Sequence, residues 1–185
     1  MNNLFIISGP SGAGEDSIID GLKKIMPIER VITSTTRQMR PGETSGNPYY
    51  FVSRKNFMEL IAEKKLFEYA QEYNGNYYGV TRDEINRVKT SGKIGIWKIE
   101  YKGVITAKKI MPGITAIFIN APLEILEKRI RSRSNVTEEF VRERLEYTKQ
   151  WLKHLDIYDY IVENQEGKLN QTIGNVAKII KKTLK

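Results

Sequence analysis

The sequence predicts an α/β fold in which helices cover both faces of a parallel sheet. Three observations carry that expectation. Leu4-Phe5-Ile6-Ile7 and Ile114–Ile119 are continuous apolar runs rather than alternating ones, as strands buried on both faces require. Segments with helical spacing lie between the apolar runs, so strands and helices alternate along the chain. The first run leads into a glycine-rich turn and then an amphipathic stretch, the strand, loop, helix order of phosphate-binding sheets.

In chain order, Leu4–Ile7 is the first strand and Asp16–Met26 the first helix. Thr33–Val80 breaks the rhythm: it is rich in Tyr, Gly, Asn and Thr, with short strand-like pieces around one helix, Ser53–Glu63, and reads as a small mixed β insert. A helix over Thr81–Ser91 follows, opened by the capping box Thr81-Arg-Asp-Glu84. Ile94–Glu100 is the next strand and Lys102–Lys109 the next helix. Ile114–Ile119 precedes a helix over Pro122–Arg131, where proline suits a first helical turn. Arg129–Leu152 carries Arg129, Arg131, Arg133, Arg142 and Arg144, and its second half is a long helix started near Thr137; it reads as a mobile arm. Tyr158–Val162 is a fourth strand and Leu169–Lys182 the last helix.

The chain has 185 residues, 40% hydrophobic and 28% charged, which suits one domain with a real core. It has no cysteine and a single His154, so thiolate and multi-histidine metal sites are excluded. No apolar run approaches a membrane span, and the four-residue N-terminal run has no cationic flank of the kind a signal peptide carries, so a cytoplasmic protein is expected. The net charge of +8 invites a nucleic-acid reading, but scattered helical lysines are usually a solvated face. Nucleic acid is therefore not an expected partner, and a basic cleft for a small polyanion explains the charge equally well.

Gly9-Pro10-Ser11-Gly12-Ala13-Gly14-Glu15-Asp16-Ser17 is a phosphate-binding loop with its cation missing. The usual pattern is G-x-x-x-x-G-K-[ST]. Gly9 and Gly14 fit it, whereas Glu15 stands in place of Lys and Asp16 in place of Ser or Thr. Loop residues Gly9, Ser11, Gly12, Ala13 and Gly14 present backbone to an anion, and Glu15, Asp16 and Ser17 open the helix behind them.

Four further stretches complete a pattern. They are Ser34-Thr35-Thr36-Arg37-Gln-Met-Arg40-Pro41-Gly42-Glu43, Tyr49-Tyr50-Phe51-Val52-Ser53, Phe67-Glu68-Tyr69-Ala70 and Gly75-Asn76-Tyr77-Tyr78-Gly79. With the glycine loop, these make the sequence resemble the guanylate kinase family over nearly its whole length. Asp16-Ser17 also echoes the loop end of the ribose bisphosphate kinases, but the insert resembles guanylate kinase far better.

The resemblance implies a P-loop three-layer fold with a GMP-binding insert and a helical lid. Its parts would be a core of residues 1–32, 81–126 and 153–185, an insert of 33–80 and a lid of 127–152. It implies transfer of a phosphoryl group from ATP to GMP, with Mg²⁺ as cofactor. Arg37 and Arg40, with the Tyr49 and Tyr78 hydroxyls, would cradle the GMP phosphate. Glu68 would read guanine with Glu100, and Thr33 or Ser34 would offer a hydroxyl, Ser34 being the one assigned. Arg129, Arg133 and Arg144 fall where the family places arginines that close over the phosphates, Arg129 being assigned to ATP. The catalytic set would be Arg37, Arg40, Arg133 and Arg144, with Glu15 and Lys98 at the altered positions. Asp16 and Ser17 would be the magnesium ligands. Arg131 and Arg142 match no such position and read as surface charges. A monomer or small homo-oligomer is expected.

Departures from the family pattern sharpen the question. Glu15 replaces a positive charge by a negative one beside phosphate oxygens. One charge pair about 4 Å apart is worth roughly 4 kcal/mol at an effective dielectric of about 20. The swing could cost about 10³-fold in rate. In Lys98-Ile99-Glu100-Tyr101-Lys102-Gly103 the family has an acid where Lys98 stands. A cation thus appears near where one was lost: Lys98 would pair with Glu15 or reach the phosphates itself. Val80 replaces a Ser or Thr that touches the base. The leading expectation is a guanylate kinase whose turnover Glu15 could impair. The alternative is a catalytically inactive guanylate kinase-like module that keeps GMP or partner binding.

Overall fold

β1 (Leu4–Ser8) is the middle strand of a five-stranded sheet in this computed structural model, which describes residues 3–72, 75–132 and 136–184. Beside it lie β8 (Ile94–Lys98) and then β2 (Ile28–Arg30) on one side, and β9 (Thr115–Asn120) and then β10 (Tyr160–Glu163) on the other. Every pairing is parallel, with Ile7 opposite Lys98 and Ile117, and Arg30 opposite Ile96.

Successive side chains of a strand point to opposite faces, which accounts for the continuous apolar runs. Phe5 and Ile7 pack with Ile96, Ile117 and Ile119 against α1 (Glu15–Lys23) and α7 (Leu169–Thr183). Leu4 and Ile6 pack with Trp97, Ala116 and Phe118 on the other face, against α3 (Arg82–Thr90), α4 (Tyr101–Ile110) and Trp151. α1 and α7 meet closely because Gly21 has no side chain: a Cβ there would lie 2.2 Å from Ile173 Cδ1.

The second sheet is mixed. Its order is β4 (Thr44–Ser45), β5 (Pro48–Phe51), β3 (Thr33–Thr35), β7 (Tyr77–Thr81) and β6 (Leu66–Gln71). β3 runs parallel to β5 and antiparallel to β7. α2 (Arg54–Ala62) packs on it, started by Ser53, whose hydroxyl accepts the Asn56 N–H at 3.1 Å. The expected arm consists of α5 (Leu123–Arg131) and α6 (Glu138–Leu152), the latter capped by Thr137.

Several boundaries differ from expectation. β2 was not foreseen, because it has three residues and only Ile28 is fully buried, so it leaves no apolar run. The strand expected to reach Glu100 ends at Lys98, and Glu100 takes the N-cap position of α4. The fourth expected strand starts at Tyr160 rather than Tyr158; just before it, Asp159 accepts the Ala116 N–H at 2.7 Å. The capping box at Thr81 forms in half. Thr81 Oγ1 accepts the Glu84 N–H at 3.2 Å, but the Glu84 carboxylate turns to the Ile32 N–H at 2.7 Å and to Arg87.

Candidate active site

The glycine loop leaves the C-terminal end of β1, at the edge where parallel sheets place their ligands. Gly12 and Gly14 have φ of +92° and +96°, which side chains with a Cβ rarely adopt. Space is short as well. A Cβ on Gly14 would lie 2.6 Å from Asn164 Nδ2, and one on Gly9 2.6 Å from the Ile119 carbonyl. The loop is pinned from behind. Asn164, buried after β10, donates Nδ2–H to the Ala13 carbonyl at 2.7 Å, and its own N–H bonds the Asn120 carbonyl at 2.8 Å. Arg129 donates to the carbonyls of Gly12 and Asn164, both at 3.1 Å. Ala13 is fully buried, so its contribution is this anchored carbonyl, whereas Gly9, Ser11, Gly12 and Gly14 line a cleft of about 450 Å³.

The charges after the loop form a cluster. Lys98 Nζ lies 2.6 Å from Asp16 Oδ2, and Arg30 Nη2 lies 2.8 Å from Asp16 Oδ1. The pairing of Lys98 with Glu15 is therefore corrected: its hydrogen bond goes to Asp16, and Glu15 acts on it through charge. Burial pushes the Asp16 carboxyl up, but Lys98 and Arg30 outweigh it and hold that carboxyl below its usual range. Burial likewise opposes the Lys98 ammonium, yet Glu15, Tyr49 and Asp16 keep its pKa above the usual value.

Across the cleft, Arg37 Nη2 lies 2.8 and 3.0 Å from the two Glu43 oxygens, and Glu43 also accepts the Arg40 N–H at 2.7 Å. The Arg37 guanidinium sits 5.5 Å from the Tyr49 ring centre and 5.3 Å from that of Phe51, and Tyr49 meets Tyr78 edge to face. Arg37, Arg40, Tyr49 and Tyr78 all line the cleft. On β3 the lining residue is Thr33. Ser34 points the other way by strand alternation, so the assignment of Ser34 to the wall is corrected to Thr33. Val80 is fully buried in the core, and the neighbouring Thr81 hydroxyl is committed to its helix cap.

The floor is acidic. Glu68 is 5% exposed, reached across Gly79 and Gly103; a Cβ on Gly103 would lie 3.1 Å from Glu68 Oε1. Tyr147 donates to Glu100 at 2.6 Å and also approaches Glu72 at 3.2 Å, so Glu72 joins Glu68 and Glu100 on the lining. Burial, with the nearby Glu72 charge, pushes the Glu68 carboxyl up to about 8. Burial and a hydrogen bond with Glu72 push Glu100 up as well. The folded protein thus holds more protons than the unfolded chain between about pH 4.5 and about pH 8, and stability falls as pH rises through that window. Thermal melts of the empty protein should show a midpoint falling from pH 6 to pH 8, with a shallower fall for Glu100→Gln. An equal slope in that variant would remove Glu100 from this account.

From the arm, Arg129 and Arg144 line the cleft, while Arg133 lies outside the described residues. Arg131 pairs with Glu127 and Glu138, and Arg142 approaches Glu139 at 3.9 Å with both side chains 74% exposed. Arg30, Glu72, Tyr147 and Asn164 were missed by sequence reasoning. Each acts through a contact distant in the chain, and none sits in a motif that announces it.

The family model described as Guanylate kinase matches residues 1–183. The chain belongs to the guanylate kinase family. A guanylate kinase of Shewanella violacea is 38% identical over 167 residues, 89% of this chain and 80% of that protein. A guanylate kinase of Escherichia coli is 36% identical over 170 residues, 90% of this chain and 82% of that one. The crystal structure of guanylate kinase from Anaplasma phagocytophilum superposes with a TM-score of 0.76 at 26% identity, covering 96% of this chain and 84% of that chain. Membership of the guanylate kinase family makes this chain a kinase of the nucleoside monophosphate class, built on the P-loop fold that its parallel sheet and glycine loop display. Among the described residues no helix is long and apolar enough to cross a membrane.

Proposed function

We propose that this chain transfers the γ-phosphoryl group of ATP to the phosphate of GMP, giving ADP and GDP. The observation that carries the reading is the single cleft joining the glycine loop to Arg37, Arg40 and the buried Glu68. Donor and acceptor can therefore share one space.

In this reading the GMP phosphate lies against Arg37, Arg40, Tyr49 and Tyr78, and Arg37 exchanges part of its contact with Glu43 for the phosphate. Glu68, ionised on binding, accepts from the N1–H and exocyclic amine of guanine, with Glu100 beside it and the buried Thr33 hydroxyl on the wall. The loop amides hold the ATP phosphates. A phosphate oxygen of GMP attacks the γ-phosphorus as the bond to the ADP oxygen breaks, and no general base is needed because the attacking oxygen is already anionic. Phosphoryl transfer depends mostly on positioning and charge neutralisation. Arg144 and, by family resemblance, Arg133 supply the charge, while Arg129 positions the glycine loop through the Gly12 and Asn164 carbonyls.

Magnesium takes oxygen ligands and is usually held by one or two carboxylates together with substrate phosphates. Asp16 and Ser17, both on the cleft, offer a carboxylate and a hydroxyl. These are oxygen donors of the kind magnesium takes, so the donor set fits by chemistry, with Asp16 exchanging part of its contact with Lys98 or Arg30 for the ion. When bound with ATP, the ion would supply further neutralisation of phosphate charge. The alternative of an inactive binding module rests on Glu15, and the cleft around Glu15 retains a cation in Lys98.

An assay of ADP release that requires both GMP and ATP, run beside calorimetric titration with GMP, tests the proposal. Turnover is the expected result. GMP binding without turnover would replace it by the binding module, and failure of both would remove the nucleotide reading altogether.

A further inference from the structure

The loop lysine of a P-loop site is absent here, and the sheet topology brings a different lysine to the same cleft. Lys98 ends β8, two residues beyond Ile96, which pairs with Arg30 of β2. Side chains two apart on a strand share a face, so Lys98 and Arg30 emerge together on the face that carries α1. They meet on Asp16, the second residue of that helix, at 2.6 and 2.8 Å. The Lys98 side chain is 23% exposed and lines the cleft beside Gly12, Gly14 and Glu15. The other loop-side cation, Arg129, spends two nitrogens on the carbonyls of Gly12 and Asn164.

We propose that Lys98 is the catalytic cation that meets the β- and γ-phosphates of ATP, delivered from a strand end rather than from the glycine loop. The inference rests on the reading of the cleft as an ATP and GMP site. An ammonium has three donors, and Asp16 takes one, leaving two for phosphate oxygens. Its four-carbon stem lets it pivot about that hold. Glu15 and Lys98 together carry the same two charges as the family arrangement of a loop lysine and a strand-end acid, in exchanged positions. Glu15 and Asp16 then balance Lys98 and Arg30 in the empty cleft.

The test is Lys98→Met in the full chain, read by kcat/KM for ATP and by separate titrations with magnesium-ATP and with GMP. The expected result is a loss of about 10²-fold for ATP, the usual size for one transition-state donor, with GMP affinity changed less than about twofold. Unchanged ATP affinity and turnover would overturn the proposal, even if the wild-type protein is an active kinase. Wild-type protein that binds no GMP would instead overturn the proposed function. The exchanged pair Glu15→Lys with Lys98→Asp guards against a variant that merely misfolds. It should recover ATP turnover to within about tenfold of wild type, whereas Lys98→Asp alone should lose about 10³-fold. Failure of the exchanged pair to exceed Lys98→Asp alone would also count against the proposal.

Discussion

Glu68→Ala is expected to lower kcat/KM for GMP by about 10³-fold while leaving the KM for ATP within about threefold. The carboxylate is 5% exposed at the floor of the cleft. Guanine would present two N–H donors to it, and hydrogen bonds to a charged group are worth about 1.5–3 kcal/mol each. Two such bonds amount to roughly 4 kcal/mol, or about three decades in rate. Glu68→Gln keeps the shape but turns one acceptor into a donor facing a donor, so it should recover no more than about tenfold of the loss. Steady-state kinetics with varied GMP at saturating ATP decide the matter. A Glu68→Ala enzyme that keeps a tenth of its GMP efficiency would place guanine recognition elsewhere. Because the empty-state carboxyl titrates near 8, GMP binding should release a proton below that pH, so affinity should rise as pH goes from 6 to 8.

Asn164→Asp is expected to destabilise the fold by about 3 kcal/mol and to raise the KM for ATP about tenfold. Asn164 is 4% exposed, and its amide donates to the Ala13 carbonyl at 2.7 Å while Oδ1 lies 3.2 Å from the Thr172 hydroxyl. Aspartate would set a buried carboxylate oxygen against a carbonyl oxygen. The cost is an unsatisfied buried acceptor, about 1–3 kcal/mol, plus repulsion in a dry environment. Asn164→Ala loses both hydrogen bonds but adds no repulsion and should cost about 2 kcal/mol. Since the same carbonyl anchors the glycine loop, weakened ATP use should accompany the lost stability. Denaturant unfolding and ATP titration of both variants provide the check. If aspartate proves no worse than alanine, the donor role of the amide is wrong.

The parallel sheet was legible because its strands are buried on both faces. Leu4–Ser8 feeds two cores at once, so nearly every residue must be apolar, and that run survives without any tertiary information. The glycine loop and the Arg37, Arg40, Glu68 and Tyr78 stretches were legible for a different reason: each is a local pattern whose members keep fixed spacing. β2 left no such trace, since an edge strand with one buried residue has no pattern to show. The face of β3 was misjudged for want of register, because a shift of one residue exchanges Thr33 for Ser34 on the wall.

The sequence by itself determined the α/β class, the family resemblance and the fact that the loop lysine is a glutamate. It could not decide which acid Lys98 would meet, because residues 16, 30 and 98 are brought together only by the order in which strands pair. The tertiary structure decided that, placing Lys98 and Arg30 on Asp16 at 2.6 and 2.8 Å and tying the loop to Asn164. Side-chain type is local information, whereas the partner of a charge depends on strand order and on which face of the sheet its residue occupies.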